Sequence, residues 1–117
     1  MFGGVVGPIC VLKADALAHN LETMAGWCRD HSVELAPHGK THMAPQLLAR
    51  QFEAGACAVT VANVSQARVY RAFGVTNIVV ANELVDGAGL RWLAALGEQS
   101  LALGLTNPEL FGDVGLV

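Results

Sequence analysis

"ACAVTVANVSQARVYRAFGVTNIVVA", residues 56–81, sets two apolar runs on either side of a helical repeat. The first run, residues 56–62, is almost continuously apolar, the pattern of a strand covered on both faces. Asn63 or Ser65 can then accept the first free amides of a helix. Ala67, Val69, Tyr70 and Phe73 recur at helical spacing, and Gly74 closes the element. The second run, residues 77–81, reads as another strand. Strand, helix and strand in so short a span imply parallel strands joined by a crossover.

The same rhythm extends in both directions. Upstream, Asp15 can cap a helix whose residues Leu17, Leu21, Met24 and Cys28 form one apolar stripe. Residues 33–36 read as a strand, Pro45 suits the first turn of the next helix, and Gly55 suits a left-handed C-cap. Downstream, Asp86 opens a helix through Leu90, Leu93 and Leu96, and residues 100–105 read as a strand. Strands thus begin near 33, 56, 77 and 100, a parallel α/β alternation. Two architectures satisfy it: part of a (β/α)8 barrel, which takes about 250 residues in full, or a small open doubly wound sheet.

Composition narrows the function classes. The 117 residues are 53% hydrophobic and 15% charged, with a mean hydropathy of +0.44. No apolar run reaches the eighteen or so residues of a membrane span. Seven basic and ten acidic residues leave a net charge of −3, with no basic cluster to attract nucleic acid or anionic lipid. The N-terminus lacks the basic region of a signal peptide. Three cysteines, Cys10, Cys28 and Cys57, form no CxxC pair, so a reduced, cytoplasmic setting is expected.

The chain has two lysines, Lys13 and Lys40. Lys40 falls a few residues beyond the carboxyl end of the first strand, where both candidate architectures build active sites. An amine enclosed there by apolar strands has its charged form disfavoured, and a neutral amine attacks carbonyls. The competing reading from position alone is a solvated loop lysine. His38 and His42 stand four apart, a zinc spacing on a helix; on a strand-to-loop turn they read as packing around the lysine. His19 and His31 read as helix-surface residues, Cys57 as core, and Trp27 and Trp92 as packing groups. Asn82 and Glu83 read as a solvated strand end, and Arg68 and Arg71 as an outer helix face.

The string "PHGKTH" (37–42), the helix "APQLLARQFEAGA" (44–56), "VTVANVSQARV" (59–69) and "GVTNIVVANELV" (74–85) together resemble the D-threonine aldolase and D-serine dehydratase-like proteins. "PICVLKADALAHNLETM" (8–24) is similar to the segment by which that family enters its barrel. The resemblance covers roughly residues 8–96. It implies an alanine racemase-like, TIM-type barrel, of which residues 1–117 are a single domain, the truncated N-terminal part. It implies a pyridoxal-phosphate-dependent lyase acting on D-3-hydroxy amino acids, with Lys40 as the Schiff-base lysine, both catalytic and cofactor-binding. Aldolase and dehydratase chemistry stay open. The family's phosphate cradle, and its divalent-metal ligands of His and Cys or Asp type, belong to parts that these residues do not contain. The expectations are a chain inactive by itself, no metal ligands assigned, and self-association through unpaired strand edges. The alternative is an inactive α/β fragment or small interaction module.

Overall fold

The computed structural model describes Gly4, residues 6–96 and residues 101–103. Its elements in order are α1 (Ala14–Asp30), α2 (Pro45–Glu53), β1 (Val59–Val61), α3 (Val64–Ala72), β2 (Ile78–Val80), α4 (Gly87–Ala95) and β3 (Leu101–Leu103). The three strands lie side by side in the order β1-β2-β3. Both pairs are parallel, with Val59 opposite Ile78 and Ile78 opposite Leu101. The expected alternation is therefore present, with strands shorter than the apolar runs. Residues 100, 104 and 105 of the expected last strand lie outside the described residues.

Residues 33–36 do not form a regular strand. The chain there does run parallel beside β1, with Cys57 N–H bonded to Leu35 O at 2.9 Å, Thr60 N–H to Pro37 O at 2.8 Å and Gly39 N–H to Thr60 O at 2.8 Å. Between the first two bonds one side advances from Leu35 to Pro37 and the other from Cys57 to Thr60, so the ladder slips. Pro37 has no N–H and removes a rung. A single bridge, His38 to Thr60, survives as regular pairing.

Alternation within β1 and β2 decides where the core sits. Val59, Val61, Ile78 and Val80 share one face of the sheet and are buried. Leu48 of α2 and Ala67 and Tyr70 of α3 join them in one cluster, and Trp92 and Leu93 of α4 pack against it. Helices α2, α3 and α4 thus cover the same face. On α3 the buried line is Val64, Ala67 and Tyr70, at spacings of three. Val69 and Phe73 fall to its side and are exposed, against their expected place inside. Leu90 of α4 is likewise exposed.

Local chemistry sets the helix ends. Asn63, not Ser65, caps α3, accepting from Gln66 N–H at 3.0 Å, while Gln66 Oε1 accepts from Ala62 N–H at 2.9 Å. This reciprocal pairing satisfies two amides near the helix start. Asp86 caps α4 by accepting from Ala88 N–H and Gly89 N–H at 3.1 and 2.7 Å. Pro45 occupies the first turn of α2, and Gly55 (φ 108°) and Gly74 (φ 84°) take the left-handed conformation beyond α2 and α3. At α1 the boundary residue is Lys13, and Asp15 lies inside the first turn instead of capping it. The α1 stripe is half-covered: Cys28 is buried, whereas Met24 is 48% exposed. Trp27 does not pack into the core. It stacks on His31 with ring centroids 4.1 Å apart, beside a 2.8 Å hydrogen bond between His31 Nδ1 and Trp27 O. No helix among the described residues is long and apolar enough to cross a membrane.

Candidate active site at the carboxyl ends of the strands

Parallel strands place all their carboxyl ends on one side of the sheet, so the segments after Gly39, Val61 and Val80 share one edge. At the first of these the backbone is held from three directions. Gly39 N–H is bonded to Thr60 O, and Gly39 O accepts from Met43 N–H at 2.9 Å. The same carbonyl accepts from the Tyr70 hydroxyl at 2.9 Å. Three residues before Gly39, the Ala36 carbonyl accepts from Thr60 Oγ1 at 2.7 Å. Lys40 is the next residue, and its amide nitrogen belongs to the peptide plane whose oxygen carries the Met43 and Tyr70 bonds.

Gly39 is buried and has no room for a side chain. A Cβ there would lie 2.6 Å from Tyr70 Oη, 2.7 Å from Val59 Cγ2 and 2.8 Å from Tyr70 Cε2. The glycine is required by space, since its φ is not among the left-handed ones. Tyr70 is fully buried on α3. Burial pushes its phenol above the ordinary value, so it stays an O–H donor at neutral pH.

Past Lys40 the turn is closed by local chemistry. Met43 is left-handed at φ 44°, and Ala44 N–H donates to His42 Nδ1 at 3.0 Å. That bond requires a bare Nδ1, so the ring proton of the neutral imidazole sits on Nε2. Among the described residues Nε2 is buried without a hydrogen-bond partner, an arrangement that costs about 1–3 kcal/mol unless an acceptor is supplied.

Lys40 itself is exposed. The expected enclosure by apolar strands is absent among the described residues, because desolvating an amine takes atoms on several sides. Two concavities lie elsewhere. One of about 570 Å³ runs between α1, residues 33–37 and the end of α2. Another, of about 400 Å³, lies between α2 and residues 73–77. Neither is lined by Lys40.

The remaining candidates sort as follows. His38 is exposed beside its bridge, and His19 and His31 lie on the surface. Cys57 is half-buried, just before β1, with its thiol against Leu35 O at 3.4 Å. Asn82 ties the end of β2 to β1 through a 3.3 Å bond to Ala62 O. Arg68 is exposed as expected, but Arg71 is half-buried and turns back to the carbonyls of Val75 and Thr76. Among the described residues no three His, Cys, Asp or Glu side chains group to hold a metal ion. Gly39 and Thr60 were not singled out by sequence reasoning. The one signal pointing toward them is Tyr70, the single tyrosine, whose hydroxyl on an apolar stripe needs a buried acceptor.

No protein-family model matches the chain. It is 36% identical over 89 residues to a D-threonine aldolase from Arthrobacter sp, across 76% of this chain and 24% of that protein. A 3-hydroxy-D-aspartate aldolase from Paracoccus denitrificans is 29% identical over 90 residues, 23% of its length. Among solved structures, the D-threonine aldolase from Filomicrobium marinum superposes with a TM-score of 0.77 at 38% identity, over 83% of this chain and 26% of that one. A mutant of D-threo-3-hydroxyaspartate dehydratase superposes with a TM-score of 0.75 at 26% identity, over 84% and 25%. The chain spans about a quarter of the length of the curated relatives it matches. Over most of its own length, this chain is a homologue of one segment of the D-threonine aldolase and 3-hydroxy-D-aspartate aldolase family.

Proposed function

We propose that this chain carries the cofactor-bearing part of a pyridoxal-phosphate-dependent lyase acting on D-3-hydroxy amino acids, with Lys40 as the residue that holds the cofactor covalently. The observation that carries the proposal is the fixed peptide before Lys40 at the carboxyl edge of parallel strands, in a segment homologous to D-threonine aldolases. Among the described residues α2, α3 and α4 cover the same face of the sheet, which favours a segment of a curved barrel over a doubly wound sheet, whose helices lie on both faces. We place substrate choice and the division between aldolase and dehydratase outside these residues.

The residues present suit the lysine end of such a site. Lys40 Nζ is reachable by an aldehyde, while its backbone is anchored. The unpartnered Nε2–H of His42 is a donor two residues away in sequence, available to an acceptor that the described residues do not supply. When bound, pyridoxal phosphate supplies an electron sink that labilises bonds at the substrate Cα. Lys40 contributes the amine, and the Gly39–Met43 turn limits where that amine can reach. The described residues do not suit a divalent metal, and no step is assigned to one.

Borohydride trapping tests the proposal. Lys40 Nζ and the cofactor aldehyde form a carbon–nitrogen double bond with loss of water, and borohydride reduces it to a stable secondary amine. With purified chain, peptide mapping should place the label on Lys40 in preference to Lys13, and Lys40→Ala should abolish it. Equal labelling of both lysines would refute the assignment. Turnover of D-threonine by this chain alone is expected to be negligible, since cofactor and substrate positioning supplies much of an enzyme's rate.

We also propose self-association. Val6, Val11, Leu12, Phe73 and Val85 are exposed apolar side chains, each of which gains from being covered on association. Sedimentation over a hundredfold concentration range should show a rising mean mass; a constant monomer mass would count against it.

A further inference from the structure

The peptide joining Gly39 to Lys40 is rigid and planar, so a bond to its oxygen also orients the Lys40 nitrogen and Cα. Two groups hold that oxygen. Met43 N–H is local, four residues along the same turn. The Tyr70 hydroxyl comes from α3, 31 residues away in sequence, and is buried with its acceptor. Tyr70 therefore ties the lysine-bearing turn to the helix layer by a hydrogen bond, beside the packing of Met43 against the core. Its ring also fills the space that a Cβ on Gly39 would enter. That leaves Gly39 with little freedom to tilt.

We propose that Tyr70 is a positioning residue for Lys40, setting through the Gly39 carbonyl the direction in which the amine leaves the strand edge. The inference rests on the reading of Lys40 as the cofactor lysine for its chemical consequence, but not for its structural one. Tyr70 touches neither cofactor nor substrate in this role. Its effect reaches Nζ through one peptide plane.

Tyr70→Phe removes the hydroxyl and keeps the ring that packs against Gly39. Asn77→Ala is the control. It also deletes a side-chain hydrogen bond to a backbone carbonyl, at 3.1 Å, but to Cys57 before β1 instead of the Lys40 peptide. Two readouts are compared across the wild-type chain and both variants. The first is amide hydrogen exchange at Gly39–Met43. The second is the ratio of Lys40 to Lys13 label after a fixed exposure to pyridoxal phosphate and borohydride. Tyr70→Phe should speed exchange in the turn and lower the labelling ratio by roughly threefold to tenfold, about the factor that one hydrogen bond contributes. Asn77→Ala should leave the ratio near that of the wild type.

Unchanged exchange at Gly39–Met43 in Tyr70→Phe would overturn the proposal, as would an equal fall of the ratio in both variants. A wild-type chain with no Lys40 preference would instead refute the cofactor assignment. The exchange data would still decide whether Tyr70 holds the turn.

Discussion

Gly39→Ala is expected to destabilise the chain by about 3 kcal/mol, the upper end of what overpacking a buried site costs. The added carbon would sit under 3.0 Å from three atoms, two on the Tyr70 ring system and one a branched methyl of Val59. None is the free end of a flexible side chain. Tyr70 is wedged in the core with Leu48, Val59 and Ile78, and Val59 is held in β1 by its ladder to β2. Relief must then come from the Gly39 segment, by loss of the bonds to Thr60 O and from Tyr70. Denaturant unfolding of the wild-type chain and Gly39→Ala checks this. A change below about 1 kcal/mol, within the range of an ordinary point mutation, would show that the close approach is not as drawn.

Tyr70→Ala should cost about 3–5 kcal/mol, the range for truncating a buried aromatic. It removes a fully buried ring from the centre of the core and leaves one acceptor position of Gly39 O unfilled. Against a typical stability of about 5–15 kcal/mol for a whole domain, this variant should be largely unfolded at mild denaturant concentrations. The double variant Gly39→Ala/Tyr70→Ala should be less destabilised than the sum of the two. Two of the three clashes vanish with the ring, and the one with Val59 remains. A coupling of about 1 kcal/mol or more is within the usual range for residues in contact. Strict additivity would mean that the two positions do not touch.

Much of this architecture was legible from residue order, because the signals involved are local. A run such as Ala56–Ala62 or Asn77–Ala81 announces a strand through its apolar continuity. Asn63, Asp86, Pro45, Gly55 and Gly74 announce helix ends through groups that act within a turn of themselves. The family likeness carried by "PHGKTH" and its flanks was also readable, and the comparisons bear it out. The extent of each strand was not readable, because hydrogen-bonded pairing ends where the partner ends and not where apolar residues do. Pro37 shows this most clearly. Residues 33–36 have strand-like composition, yet the ladder beside β1 slips and keeps a single bridge.

Which face of each helix turns inward also depended on packing. Val69 and Phe73 share a helical repeat with Tyr70, but sheet contact selects the line of Val64, Ala67 and Tyr70 and leaves the other two in solvent. The lysine was findable as a residue type at a strand end. Its exposure matches the solvated loop lysine that position alone offered, but the glycine beside it with no space for a methyl group and the tyrosine hydroxyl that grips their shared peptide were not findable. Those facts arise where residue 39 meets residue 70 across 31 positions, and nothing in a local sequence pattern encodes a distance between segments that only the packed sheet and helix bring together.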